Sequence, residues 1–307
     1  MSALNDKIVE SMTDGKTSAE KPSFIVIGGG MQTGQAVLQK MMTDRNFIDQ
    51  ASTVVIAPRK FITMEGFDAH KNVQHPEKSP ALVGAYQDIV RQTVAKAVEN
   101  GCSVLLVDHA EDKDFILGLQ KECAEAGYET LLVGVSSTPQ SYFDYANYTE
   151  ATQHRAADHP RGFQFLAAFS ENFKSYIERF DAATLFKSRF SMNNGEPDIA
   201  IEKVAEFRRA RVSGAVKKIY DPVAYGAFLD RVHLDRNATT PEDAVRGLSP
   251  SAQGGAETSD KNPGDSLRPS TLAEAFNSFS GKGFTAEASA QFKKIMAKRN
   301  GAAPKAP

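Results

Sequence analysis

The chain has 307 residues, 36 lysines and arginines against 38 aspartates and glutamates, a formal net charge of −2 and no tryptophan. That balance excludes nucleic acid or an anionic membrane as an obligatory partner, and the length suffices for one large or two modest domains with a substantial core. The polar segment 1–21 lacks the apolar stretch of a secretory signal and no run is long enough to span a bilayer, so the expected compartment is the cytoplasm. Cys102 and Cys123 fall in a predicted strand and a predicted helix and read as reduced thiols of a cytosolic protein.

In chain order, short β-branched runs alternate with amphipathic stretches, the pattern of a parallel sheet covered on both faces. Residues 24–27 form the first predicted strand, a helix follows over about 33–42, and Val54, Val55 and Ile56 form a second strand. Leu82, Tyr86, Ile89, Val90 and Ala97 recur at helical spacing, with Gly101 where a C-terminal cap belongs. A third strand covers 103–107. Phe115, Ile116, Leu119, Cys123 and Ala126 mark a helix closed by Gly127, and 130–135 is a fourth strand. A polar helical region spans 142–161, and Phe165, Leu166, Phe169, Phe173, Tyr176 and Ile177 then stripe a core-packing helix. Residues 182–186 read as a fifth strand.

Beyond Asn193 the alternation stops. Residues 199–211 read as a helix, and Asp221-Pro222 opens another amphipathic piece that runs to 232. The segment 249–270 is rich in Ser, Gly, Pro and charge, cannot offset its ordering entropy and reads as a disordered linker. Leu272, Phe276, Phe279, Phe284, Phe292 and Ile295, interrupted by Gly281 and Gly283, give a helical hairpin over 271–299 that docks on the body or on a protein partner. The expected organisation is a flexible segment 1–21, an α/β domain 22–192, a helical extension 193–248, the linker, the hairpin and a tail 300–307.

The first strand runs straight into Gly28-Gly29-Gly30-Met31-Gln32-Thr33-Gly34-Gln35-Ala36. A phosphate loop reads Gly, four residues, Gly, Lys, then Ser or Thr; the frame starting at Gly29 has that spacing but places Gln35 for the lysine and Ala36 for the hydroxyl. Backbone N–H groups at a helix N-terminus still favour an anion, so Gly29, Gly30, Met31, Gln32, Thr33, Gly34, Gln35 and Ala36 are the candidate cradle for ATP, GTP or a phosphorylated small molecule. The missing lysine would carry charge to the outer phosphates, and the missing hydroxyl would hold magnesium. Losing contacts of this kind, each worth about 3 to 4 kcal/mol, lowers turnover by orders of magnitude.

The order of elements resembles the zeta-toxin-like P-loop kinases. The likeness is carried by the loop, by Gln74-His75-Pro76 ahead of a long helix, by the stretch from Asn100 to Asp108, by Ala126-Gly127-Tyr128-Glu129 leading into Val133-Gly134-Val135, by Thr138-Pro139 and by the region of Arg155 and Arg161, together spanning about residues 23–190. The resemblance implies a three-layer α/β P-loop kinase fold with helical C-terminal additions over 22–192 and beyond, and phosphorylation of a hydroxyl on a nucleotide sugar or related molecule. It also implies Asp108 as a substrate-contacting acid at the end of the third strand, and Arg155 and Arg161 as cations on the transferring phosphate.

Where that family ends its second strand in an aspartate that activates the substrate hydroxyl, this chain has Ile56-Ala57-Pro58-Arg59-Lys60-Phe61, and an arginine is no general base. Glu65 and Asp68 lie downstream, and Lys60 is a further candidate cation. The implied activity is a weakened or inactive phosphotransferase. Two alternatives stand beside it. One is a pseudokinase that serves as a protein-binding module; the other is an NADP-binding oxidoreductase in which Gly28, Gly30 and Gly34 form a dinucleotide turn and Arg59-Lys60 meets the 2′-phosphate. His154 and His159 lack further ligands at metal spacing, and no metal site is assigned.

Overall fold

A computed structural model describes residues 2–30, 32–57, 80–153, 157–193, 196–210 and 214–246. Met31, Arg59, Lys60, Glu65, Asp68, Gln74-His75-Pro76, His154 and Arg155, the linker 249–270, the hairpin 271–299 and the tail 300–307 lie outside the described residues. Among the described residues no helix is long and apolar enough to cross a membrane.

Helix α1 (Ser2–Thr13) leads to strand β1 (Ser23–Gly29), α2 (Gln35–Asp44), β2 (Thr53–Ile56), α3 (Pro80–Glu99), β3 (Ser103–Val107), α4 (Lys113–Glu125) and β4 (Glu129–Ser137). Then come α5 (Pro139–Gln153), α6 (His159–Arg179), the strands β5 (Ala182–Asn193), β6 (Glu196–Ala210) and β7 (Gly214–Ile219), α7 (Pro222–Leu229), a 3-10 turn (Asp230–His233) and α8 (Pro241–Ala244). Their starts follow local chemistry. The Asp112, Asp158, Asp221 and Thr240 side chains accept from backbone N–H groups of α4, α6, α7 and α8, and Gly101 and Gly127 close α3 and α4 with positive φ.

The sheet order is β2-β3-β1-β4-β5-β6-β7. Strands β1 to β5 are parallel, as crossovers through helices require, while β6 and β7 are added antiparallel. Alternation on β1 divides the core. Phe24 and Val26 pack with α3, α4, α6 and α7 on one face, and Ile25 and Ile27 with Leu38 and Met42 of α2 on the other. Strands β1 and β4 are neighbours whose outgoing connections diverge, and in an open α/β sheet that divergence places the ligand crevice outside the strands' carboxyl ends.

Because β3 lies between β1 and β2, the sheet is not the dinucleotide-binding type, in which β2 sits beside β1. The NADP alternative falls with that order. Of the region 199–211, expected to be helical, residues 199–210 lie in strand β6. Its pairing with β5 shifts register between Leu185 and Phe186, so that Leu185 opposes Ala205 while Phe186 opposes Lys203, leaving Val204 as an extra residue. A bulge of this kind reverses which alternate residues face inward. Ile199 and Ile201 therefore enter one core cluster, and Val204, Ala205 and Phe207 enter the other. The resulting run of apolar residues mimics helical spacing.

The centre of the sheet depends on two glycines. Gly28 of β1 opposes Gly134 of β4, and the ring of Phe169 from α6 lies over both. A Cβ would come within 2.8 Å of that ring at Gly28 and 2.9 Å at Gly134. Phe169 is itself walled by Phe173, Tyr176 and Phe228 and has nowhere to retreat. Gly134→Ala is expected to destabilise the fold by about 1–3 kcal/mol through overpacking. Urea unfolding of the variant against the parent, read as a lower midpoint at unchanged slope, checks this.

Candidate functional site

The loop after β1 is shaped by backbone conformations that few side chains tolerate. Gly29 has φ +150, and a Cβ there would lie 2.1 Å from the Val135 carbonyl oxygen, so any other residue would push β4 away. Gln32 and Gly34 also have positive φ, 55 and 93. Thr33 Oγ1 donates to the Gly30 carbonyl at 2.8 Å and closes the turn, and Gln32 Nε2 donates to Thr149 Oγ1 on α5 at 2.6 Å. Gly34 serves as N-cap of α2 without a side-chain cap, which leaves the first N–H groups of the helix facing the loop. This is the backbone half of a phosphate cradle.

The side-chain half has another use. Gln35 Nε2 donates to the Asp108 carbonyl at 2.6 Å and lies 3.3 Å and 3.4 Å from the Gly29 and Ile27 carbonyls. The residue in the lysine's place thus ties the end of β1 to the end of β3 and contributes no charge. Ala36 supplies no oxygen where such a loop holds magnesium, so the loop side chains do not fit that ion. Among the described residues no group of three or more His, Cys, Asp or Glu is placed to hold a metal ion.

Asp108 stands beside the loop, where its position at the end of the third strand placed it in the sequence. Its Oδ2 accepts from Tyr86 Oη at 2.9 Å and its Oδ1 from the Ala110 N–H at 2.7 Å. Burial, reinforced by the Asp108 charge, holds the Tyr86 hydroxyl well above its ordinary range. Ala110 has φ 53, and its carbonyl accepts from Tyr176 Oη at 2.8 Å. The carboxylate is therefore oriented by three elements.

Arg161, on the first turn of α6, donates through Nη2 to Glu111 Oε1 at 2.8 Å and through Nη1 to Gln164 Oε1 at 3.2 Å. Its guanidinium also lies 4.4 Å from the centre of the Phe165 ring. It shares the segment 108–111 with Asp108, but its charge is answered by Glu111. Tyr86, Glu111 and Thr149 were not legible beside the loop, because each reaches the edge from a different element and none carries a motif. Buried polar atoms without a hydrogen-bond partner gather at this edge, namely Gln32 Oε1, Ser137 Oγ, His159 Nδ1 and Arg161 Nε. Such orphans mark strain or a place meant for a ligand.

The parallel strand order, the glycine loop after β1 and the helix that follows it define an α/β fold of the P-loop kinase type. The zeta toxin family model matches residues 7–189, and the chain belongs to that family. Among solved structures it is similar to a chain of the PezAT chromosomal toxin-antitoxin system of Streptococcus pneumoniae, with 16% identity, a TM-score of 0.48 and coverage of 61% of this chain and 75% of that one. It is also similar to AvrRxo1-ORF1:AvrRxo1-ORF2 with sulphate ions, with 12% identity, a TM-score of 0.48 and coverage of 94% and 87%. Comparison with curated proteins gave no match.

His159 carries a pH consequence. Burial lowers its pKa, against the smaller raising effects of Glu150 and Asp158, so the fold favours the neutral imidazole. That preference stabilises the fold above the ordinary histidine range and is lost as pH falls through it. The unfolding midpoint of the parent is expected to fall more between about pH 7 and pH 5.5 than that of His159→Gln, measured by thermal melts across that range.

Proposed function

We propose that this zeta toxin family member binds the phosphates of a nucleotide, ATP or GTP, or of another phosphorylated small molecule through the backbone of its loop, with phosphoryl transfer weakened or lost. The observation that carries this is the Gln35 amide bound to the Asp108 carbonyl, where phosphoryl transfer needs a cation. The preserved parts are those that bind. The turn around Gly29 and Gly34, the uncapped start of α2 and the oriented Asp108 carboxylate would serve recognition of an anion and of the molecule bearing it.

A charged contact of the lysine type is worth about 3 kcal/mol in the transition state and less in the ground state, so its loss removes rate before it removes binding. Asp108 is the acid nearest the loop in this reading, and Arg161 would meet an outer phosphate only on exchanging Glu111 for it. The compartment proposed is the cytoplasm, and the C-terminal segment 271–299 is proposed as the contact for a protein partner if the loop holds no nucleotide.

Calorimetric titration of the full chain with ATP and with GTP, each with and without magnesium, tests the reading. Binding that changes little on removing magnesium is expected. Silence with both nucleotides on a folded sample would defeat it and direct the search to protein partners. Gln35→Lys combined with Ala36→Thr is expected to tighten MgATP about tenfold or more, by restoring one charge-assisted contact and a magnesium ligand. An unchanged affinity would mean that the loop is no phosphate cradle.

A further inference from the structure

Arg231 lies beyond the region matched by the zeta toxin family, on the 3-10 turn after α7. It is 5% exposed, and its Nη1 donates to Ser136 Oγ at the end of β4. The Phe228 ring lies 5.7 Å from its Cζ. Among the described residues no carboxylate pairs with it. Burial pushes the guanidinium pKa down to about 10, which still leaves it charged at neutral pH. A charge in such surroundings is costly until an anion meets it.

Its position is specific. Ser136 follows Val135, the residue paired with Gly29, so the guanidinium stands at the end of β4 where the connections of β1 and β4 diverge. Leu234, on the same turn of chain, packs in one cluster with Leu166, the residue that covers Gly30. The turn is tied to α6 by Ser170 Oγ, which donates to the Phe228 carbonyl at 2.5 Å. Nε and Nη2 make no hydrogen bond to the described residues.

We propose that Arg231 is the cation of this phosphate site, reaching the loop from the C-terminal extension and pairing with phosphoryl oxygens of the bound ligand in place of the absent lysine. The proposal rests on the phosphate-binding reading above and extends it to a residue that the loop motif does not contain. A planar guanidinium suits two phosphoryl oxygens at once, so Nε and Nη2 form the fork while Ser136 holds Nη1. Loop amides and Arg231 then flank one oxyanion from β1 and from β4.

The test is calorimetric titration of the full chain with pyrophosphate and with ATP at fixed ionic strength, for the parent, Arg231→Gln and Arg231→Lys, alongside ligand-free thermal melts. Arg231→Gln is expected to weaken both ligands at least about tenfold, the loss of one charge-assisted contact, while its ligand-free midpoint stays level or rises because an unpaired buried charge is gone. Arg231→Lys, which keeps the charge and loses the fork, is expected to bind about threefold to tenfold more weakly than the parent and serves alone if the glutamine variant does not fold. A parent that binds while both variants bind equally well overturns the role of Arg231 and leaves the phosphate site standing. A ligand-free midpoint that drops in Arg231→Gln, with affinity kept, assigns the residue to structure instead. A parent silent to pyrophosphate and ATP overturns the site and the cation together.

Discussion

Strands β1 and β4 approach each other across glycine, and the working edge of the molecule depends on that closeness. At Gly29 the backbone passes so near the Val135 carbonyl that a Cβ would lie 2.1 Å away, and one residue earlier Gly28 and Gly134 let the Phe169 ring rest on the sheet. The chain can then leave β1 in a left-handed turn and enter α2 with its first N–H groups open. Phe169 in turn fixes α6, whose Leu166 covers Gly30 and whose Ser170 anchors the turn carrying Arg231. Loop shape, helix placement and the position of the buried cation follow from one contact between two strands.

The electrostatics of that edge are unusual for a phosphate loop. A neutral amide occupies the central position and is spent on the Asp108 carbonyl, while Arg161 is answered by Glu111. Asp108 is held by two donors and so is presented in a single orientation. Among the described residues, the positive groups of the proposed site are the helix terminus and Arg231, which would stabilise an anion without moving. In the proposed reading, an arrangement of fixed dipoles and a clamped guanidinium holds a ligand. It lacks the mobile lysine and the magnesium oxygen that follow charge as a phosphoryl group transfers.

Much of the fold was legible because its signals are local. Ser103 to Val107, apolar from Val104 on, is β3 as read; the stripe from Phe165 to Ile177 is the buried face of α6. Gly101 and Gly127 end α3 and α4 where a left-handed residue was expected. The reading failed at β6, where the bulge at Val204 interrupts a period of two, and a strand that changes faces carries the spacing of a helix. Beside the loop, Asp108 was expected from its place at a strand end. Tyr86, Glu111 and Arg231 were not, since no spacing in the chain relates them to the loop.

By itself the sequence determined the alternation of strand and helix, the glycine turn after the first strand and the absence of the loop's lysine and hydroxyl, because each is a property of residues adjacent in the chain. The tertiary structure decided what replaces them. Gln35 meets Asp108 across 73 positions and Arg231 meets Ser136 across 95. Contacts of that span depend on the strand order, the β6 bulge and the packing of α6. Those are set by the burial of whole faces against one another, and no window of sequence contains both partners.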